Sequence, residues 1–319
     1  MIRTRGDRPW SGVALAVAAL TGLATGCSSG SGGETTGARA GNAVKPAVAA
    51  PSATDTASAS APASPSPSAS ASAGTGKLVV SYAPPEAASD QPAETFLKET
   101  QVLDEVAAFA DSLVALPHDV PLKAASCGVA NAFWNPDTKD ITYCYEFLGA
   151  LRPVYEKQET TGTANQRAAA VDEDLVGLTN GVLFHELGHG LVAMYDLPIT
   201  GKEEDAVDQL SALMLASGGE KYQEYAIDTI NAWGGLAEAE EAGDKTAEVY
   251  ADEHSLSIQR FYNWACWLYG SDPDAYDSVV ETDGNPDGVL PEERAAQCPR
   301  EFEQINNSWS TLLQPYLKN

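Results

Sequence analysis

Gly181-Val182-Leu183-Phe184-His185-Glu186-Leu187-Gly188-His189-Gly190-Leu191-Val192-Ala193-Met194 is the stretch that decides the reading of this chain. Its flanks are apolar, and its three ionisable residues fall within five positions. On a helix, residues four apart lie on one face, so the imidazoles of His185 and His189 point to one place. Two neutral imidazoles so placed form half of a zinc site. Glu186, next to the first of them, can reach a water at the metal without ligating the metal itself.

This is the HExxH arrangement of zinc metallopeptidases. Only four of the 319 residues are His, so chance alone yields such a motif in roughly a few chains per thousand. The helix is expected to begin near residue 172 or 179 and to run to about 196, where Leu197-Pro198 and Gly201 stop it. A catalytic zinc takes three protein ligands and keeps one open position. Glu203-Glu204-Asp205-Ala206-Val207-Asp208 opens a second helix and offers four carboxylates. Glu204 and Asp208 stand four apart on one face. In such a pair the first binds metal and the second accepts the free N–H of a ligating His. Glu204 is therefore the preferred third ligand and Asp208 the partner of a histidine, with Glu203, Asp205 and Asp208 as alternative ligands. The spacing resembles the second active-site helix of gluzincins. A metzincin is excluded, because Val192 and Tyr195 occupy the positions of its Gly and third His.

Working outward, residues 1–27 read as an export signal. Arg3, Arg5 and Arg8 precede the apolar run 13–24, which is short of the roughly 20 residues that span a bilayer. Leu23-Ala24-Thr25-Gly26-Cys27 followed by Ser28-Ser29-Gly30 resembles a bacterial lipobox, with Cys27 as the lipidated residue; an ordinary cleaved signal is the alternative. Residues 28–76 are mostly Ala, Ser, Thr, Pro and Gly, a disordered tether by composition. The segment 77–319 is the folded domain, divided in sequence into lobes of about 77–198 and 199–319. Residues 1–76 hold five of the 19 basic and three of the 45 acidic side chains, which leaves the domain a formal charge of −28. Such acidity excludes nucleic acid and anionic lipid surfaces as partners and favours cations and basic substrates. Membrane attachment is expected through Cys27 alone.

Besides Cys27 there are four cysteines, an even number that reads as two disulfides in an exported chain. Of the three pairings, Cys127 with Cys144 and Cys266 with Cys298 keep each loop local. The domain opens on a strand at 77–82, continues as a helix over 93–116, and then forms two strands at about 122–127 and 141–148. Asn135-Pro136-Asp137-Thr138 turns between those strands, and the first disulfide staples them into a ribbon. In zincin folds an edge strand beside the active-site helix pairs with extended substrate, and this ribbon is placed to supply it. Helices are expected from 203 onward and over 219–233, 247–269 and 291–316. Early strands and late helices give an α+β, zincin-like fold.

The motif residues, with Leu197-Pro198, Gly201 and the segment from Glu203 to Leu210, resemble a bacterial metallopeptidase family known mainly as a domain of unknown function. Asn131-Ala132-Phe133, Tyr143-Cys144-Tyr145-Glu146, Gln259-Arg260-Phe261-Tyr262-Asn263 and Cys266-Trp267-Leu268-Tyr269-Gly270 match it too, so the resemblance covers essentially the whole domain. It implies a peptidase and no particular substrate. The implied chemistry places one Zn2+ on His185, His189 and Glu204, with Glu186 as general base. The tetrahedral intermediate needs a further donor, for which His254 is the best candidate, with Arg260 and Tyr262 behind it. His118 reads as a loop residue. Asp283-Gly284-Asn285-Pro286-Asp287-Gly288 matches the start of an EF-hand loop, but Arg294 stands where a bidentate carboxylate is required, so calcium is not expected. Two other functions are carried alongside: a non-catalytic binding lipoprotein, and a zinc amidase acting on cell-wall peptides.

Overall fold

A computed structural model describes residues 74–243 and 246–318 of the chain. The expected signal with Cys27, and the tether up to residue 73, lie outside the described residues. Gly76, just before the first strand, bridges Leu116.

The first strand, β1 (Leu78–Tyr82), leads into helices α1 (Gln91–Thr100) and α2 (Val102–Leu113). A single helix was expected over 93–116. It is broken at Gln101, which adopts φ 54° and donates its N–H to Leu97 O. The pair of helices forms the crossover that lets β2 (Val120–Ala125) lie parallel to β1. Strands β3 (Ala132–Asn135) and β4 (Asp140–Cys144) complete a sheet of order β1-β2-β4-β3, with β4 parallel to β2 and antiparallel to β3. The expected turn therefore joins β3 to β4. Asn135 Oδ1 accepts there from the N–H groups of Asp137 and Thr138, at 3.0 and 3.2 Å.

The strand expected to continue to residue 148 ends at Cys144, where its partner β2 runs out, and α3 (Tyr145–Gln158) begins. Tyr145, Leu148, Leu151 and Tyr155 are buried at helical spacing. Next comes α4 (Ala164–Tyr195), whose start precedes the expected one. Thr163 and Gln166 form a capping box at its N-terminus, and Asp196 ends it at φ 49°. Its C-terminal two-thirds is buried almost all round, as a helix must be when it has protein on every side. The sheet, α2 and α3 pack on one part of it, and α5 (Glu203–Ser217) and α6 (Glu220–Glu241) on another.

The helix expected over 247–269 is interrupted. A single turn, α7 (Ala247–Tyr250), and α8 (Ser257–Ser271) flank a loop at 251–256 that carries His254. Two short strands, β5 (Val280–Glu281) and β6 (Leu290–Pro291), bracket the acidic loop; Arg294 after it pairs with Glu301 at 2.8 Å. The chain closes with α9 (Glu292–Ala295) and α10 (Cys298–Leu313).

Cys127 bonds Cys144 and Cys266 bonds Cys298, with Cα separations of 5.5 and 5.2 Å. The first ties the loop after β2 to the end of β4, and the second ties α8 to α10. The fold is α+β, with a small N-terminal sheet and a mostly helical remainder. Among the described residues, no helix is long and apolar enough to cross a membrane.

Candidate metal centre

Helix α4 turns His185 and His189 to one side, with their Nε2 atoms 3.3 Å apart. Helix α5 brings Glu204 against both: Oε2 lies 3.1 Å from His185 Nε2, and Oε1 lies 3.4 Å from His189 Nε2. A tetrahedral ion with bonds of about 2.0–2.1 Å sets its ligand atoms about 3.3–3.4 Å apart. The nearest atoms of the three groups approach that spacing, with Glu204 turning Oε2 to His185 and Oε1 to His189. Both outer ring nitrogens are engaged as well, His185 Nδ1 by Asp208 Oδ1 and His189 Nδ1 by Glu203 Oε1, each at 2.8 Å. With Nδ1 facing a carboxylate, Nε2 keeps its lone pair for the centre. Two imidazole nitrogens and a carboxylate so arranged suit a metal ion.

Residues 82–313 match the family model whose description reads "Putative metallopeptidase". The chain belongs to this family. No curated protein and no solved structure matches it.

The close approach of α5 in this family member depends on Gly188. A Cβ at that position would lie 2.8 Å from Val207 Cβ, so only glycine lets the two helices meet here. The expected partner of the first ligand, Asp208, is 3 % exposed, and Arg260 Nε and Nη2 hold it at 2.7 and 2.6 Å. The guanidinium in turn lies 3.6 Å over the Trp233 ring. Arg260 thus serves Asp208 and His185. Tyr262 packs edge-on against Phe261, with centroids 5.3 Å apart, and takes no part in the cavity wall.

Glu186 is 7 % exposed, and its Oε2 accepts from the Trp134 N–H at 2.7 Å. Trp134 lies on β3, an edge strand of the sheet that falls between the two expected strands of the ribbon, and it is this unanticipated strand that touches the expected base. Burial pushes the Glu186 carboxyl up, against the pull of His185, His189 and the Trp134 amide. Burial also opposes charge on His185, but hydrogen bonds to Asp208 and Glu204 win and carry it up to about 9. His189 is raised by Glu204 and Glu203 against its own burial. Glu204 and Asp208 move the other way. Burial favours their neutral forms, yet the surrounding imidazoles and Arg260 hold both well below the usual carboxylate range.

His254, far downstream in sequence, reaches the cluster from its loop. Its Nε2 lies 3.0 Å from Glu204 Oε2, and its ring stacks near-parallel to His185 with centroids 6.0 Å apart. The donor atoms of His185, Glu204 and His254 all fall within 4.8 Å of one another. The hydrogen bond to Glu204 raises its pKa. His118 stays apart, its Nδ1 2.9 Å from Asp119 O. Sequence reasoning missed four contacts: Glu203 behind His189, the Trp134 amide on Glu186, Arg260 on Asp208, and Ser255 Oγ donating to Asp205 Oδ1 at 2.6 Å. Only the first had a signal, the run of acids beside Glu204. The others join segments 50 or more residues apart.

Proposed function

We propose that this chain is a zinc peptidase that hydrolyses peptide bonds outside the cytoplasm, tethered to the outer face of a bacterial membrane by lipid on Cys27. The observation that carries this reading is the convergence of three donors from α4 and α5 beside the buried carboxylate of Glu186. Zinc held by His185, His189 and Glu204 supplies a Lewis acid that acidifies water toward a pKa of about 7 and polarises a carbonyl. Glu186, raised by burial, accepts the proton of the attacking water and returns it to the leaving amine. His254 faces the centre from the loop between α7 and α8 and donates to the developing oxyanion. Asp208 and Glu203 fix the imidazole tautomers, and Arg260 keeps Asp208 ionised in its buried site. Strand β3 offers its outer rim to an extended peptide.

A cavity of about 390 Å³ opens beside His185 and Glu186. Val182, Trp233, Leu236 and Leu256 contribute its apolar wall. Its charged lining groups are already engaged: Asp208 with Arg260, Glu240 with Ser257, Asp252 with His254, Glu186 with Trp134. Such a pocket takes a bulky uncharged side chain next to the scissile bond. The test is zinc per chain together with cleavage of a peptide library by the purified chain and its Glu186→Gln variant. One zinc per chain, with Glu186-dependent cleavage beside large apolar residues, is the expected result. A chain without stoichiometric zinc refutes the reading, and zinc without Glu186-dependent cleavage turns it toward a binding role.

A further inference from the structure

Glu203, Glu204 and Asp205 are consecutive, yet each engages a different partner: His189, the donor cluster and Ser255. The last pairing concerns the loop 251–256. Helix α7 before it buries none of its residues, and Tyr250 at its end is 62 % exposed. Apolar packing therefore does little to hold the start of this segment. Polar contacts to the beginning of α5 take its place. Ser255 Oγ donates to Asp205 Oδ1 at 2.6 Å, and Lys202 Nζ donates to Asp252 O at 3.4 Å. Within the loop, Asp252 Oδ1 accepts from the His254 N–H at 2.8 Å and faces its Nδ1 at 3.2 Å.

The Ser255–Asp205 bond joins the residue after the imidazole to the residue after the ligand carboxylate. It thus ties the spacing of His254 and Glu204 together at one remove on both sides. One hydrogen bond is small against the stability of a whole domain, but large against that of a loop with few buried anchors. We propose that Asp205 is a positioning residue: by clasping Ser255 it holds the His254 ring in register over the centre. The kinetic consequence rests on the peptidase reading above, whereas the clasp itself does not.

The test uses the zinc-loaded full chain with Asp205→Ala, Asp205→Asn, Ser255→Ala and the double alanine variant. Asp205→Ala should lower kcat about 10- to 100-fold with KM and zinc per chain unchanged. Ser255→Ala should match it, and the double variant should be no worse than either single one. Asp205→Asn keeps an acceptor oxygen and should restore most of the rate. In a Glu186→Gln background, amide exchange over 251–256 should speed up about tenfold in Asp205→Ala and stay unchanged elsewhere. Unaltered exchange there, loss of zinc, or an Asn variant as slow as the Ala variant would each overturn the proposal. A parent chain that cleaves no peptide refutes the peptidase reading alone, and the exchange measurement still decides the clasp.

Discussion

Asp208→Asn is the substitution that tests the centre's support most sharply. The carboxylate is 3 % exposed and carries three short contacts: 2.8 Å to His185 Nδ1, and 2.7 and 2.6 Å to Arg260. An amide oxygen in the place of Oδ1 still accepts from His185 and from Arg260 Nη2, but the NH2 in the place of Oδ2 faces the Arg260 Nε–H donor, and the negative charge is gone. The Arg260 side chain, 12 % exposed, is then left without its counter-charge. Breaking a buried pair from one side costs about 3–5 kcal/mol. At about 2–4 °C per kcal/mol for a domain of this size, the melting temperature should fall by roughly 6–20 °C. Losing the carboxylate charge behind His185 should also weaken zinc about 10- to 100-fold.

The two effects separate in a second variant. Asp208→Leu combined with Arg260→Met leaves no uncompensated charge, so most of the lost stability should return. The zinc affinity should not, because leucine offers His185 no acceptor. Thermal melts with and without zinc, and competition against a chromophoric chelator, read the two quantities independently. Asp208→Asn melting within about 1 kcal/mol of the parent, or binding zinc within about threefold of it, would refute the reasoning.

Other substitutions probe the remaining roles. Glu186→Gln should keep zinc and lower kcat/KM by about 10²–10⁴; metal loss would make it a ligand instead. Glu204→Gln should abolish stoichiometric zinc, while Glu203→Gln, at a side chain 46 % exposed, should weaken it far less, and the reverse order by chelator competition would reassign the third ligand. Gly188→Ala should cost about 1–3 kcal/mol, and zinc affinity with it, because the added methyl meets Val207 on the helix that carries Glu204. The chelated chain should show its own pH dependence. His185 is raised to about 9 in the fold from about 6.5 when unfolded, so its contribution is full below pH 6.5 and disappears as pH rises through 9. That amounts to about 3 kcal/mol across the window. It should be missing from melts of the zinc-loaded chain for as long as the metal stays bound, because a ligating imidazole is neutral.

Much of the centre was legible because its geometry is local. His185 and His189 share a face through the helical period alone, and Glu204 and Asp208 repeat that spacing on the next helix. What escaped depends on where distant segments settle. Arg260 meets Asp208 because α8 packs across α5, and Trp134 meets Glu186 because β3 lies at the sheet's edge beside α4. Neither placement leaves a periodic trace. The misread elements have an equally specific cause. Strand β4 is buried along its whole length, so its apolar run passes into the buried Tyr145 and Leu148 of α3 without a break in hydrophobicity. Similarly, 247–269 keeps helix-forming residues across a loop whose conformation answers to His254, Asp252 and Ser255. The acidic run at 203–205 shows the same divide within three residues. Local spacing singled out Glu204, but its neighbours take their roles from groups that only the tertiary fold delivers: Glu203 behind one ligand, Asp205 beneath the loop that brings His254.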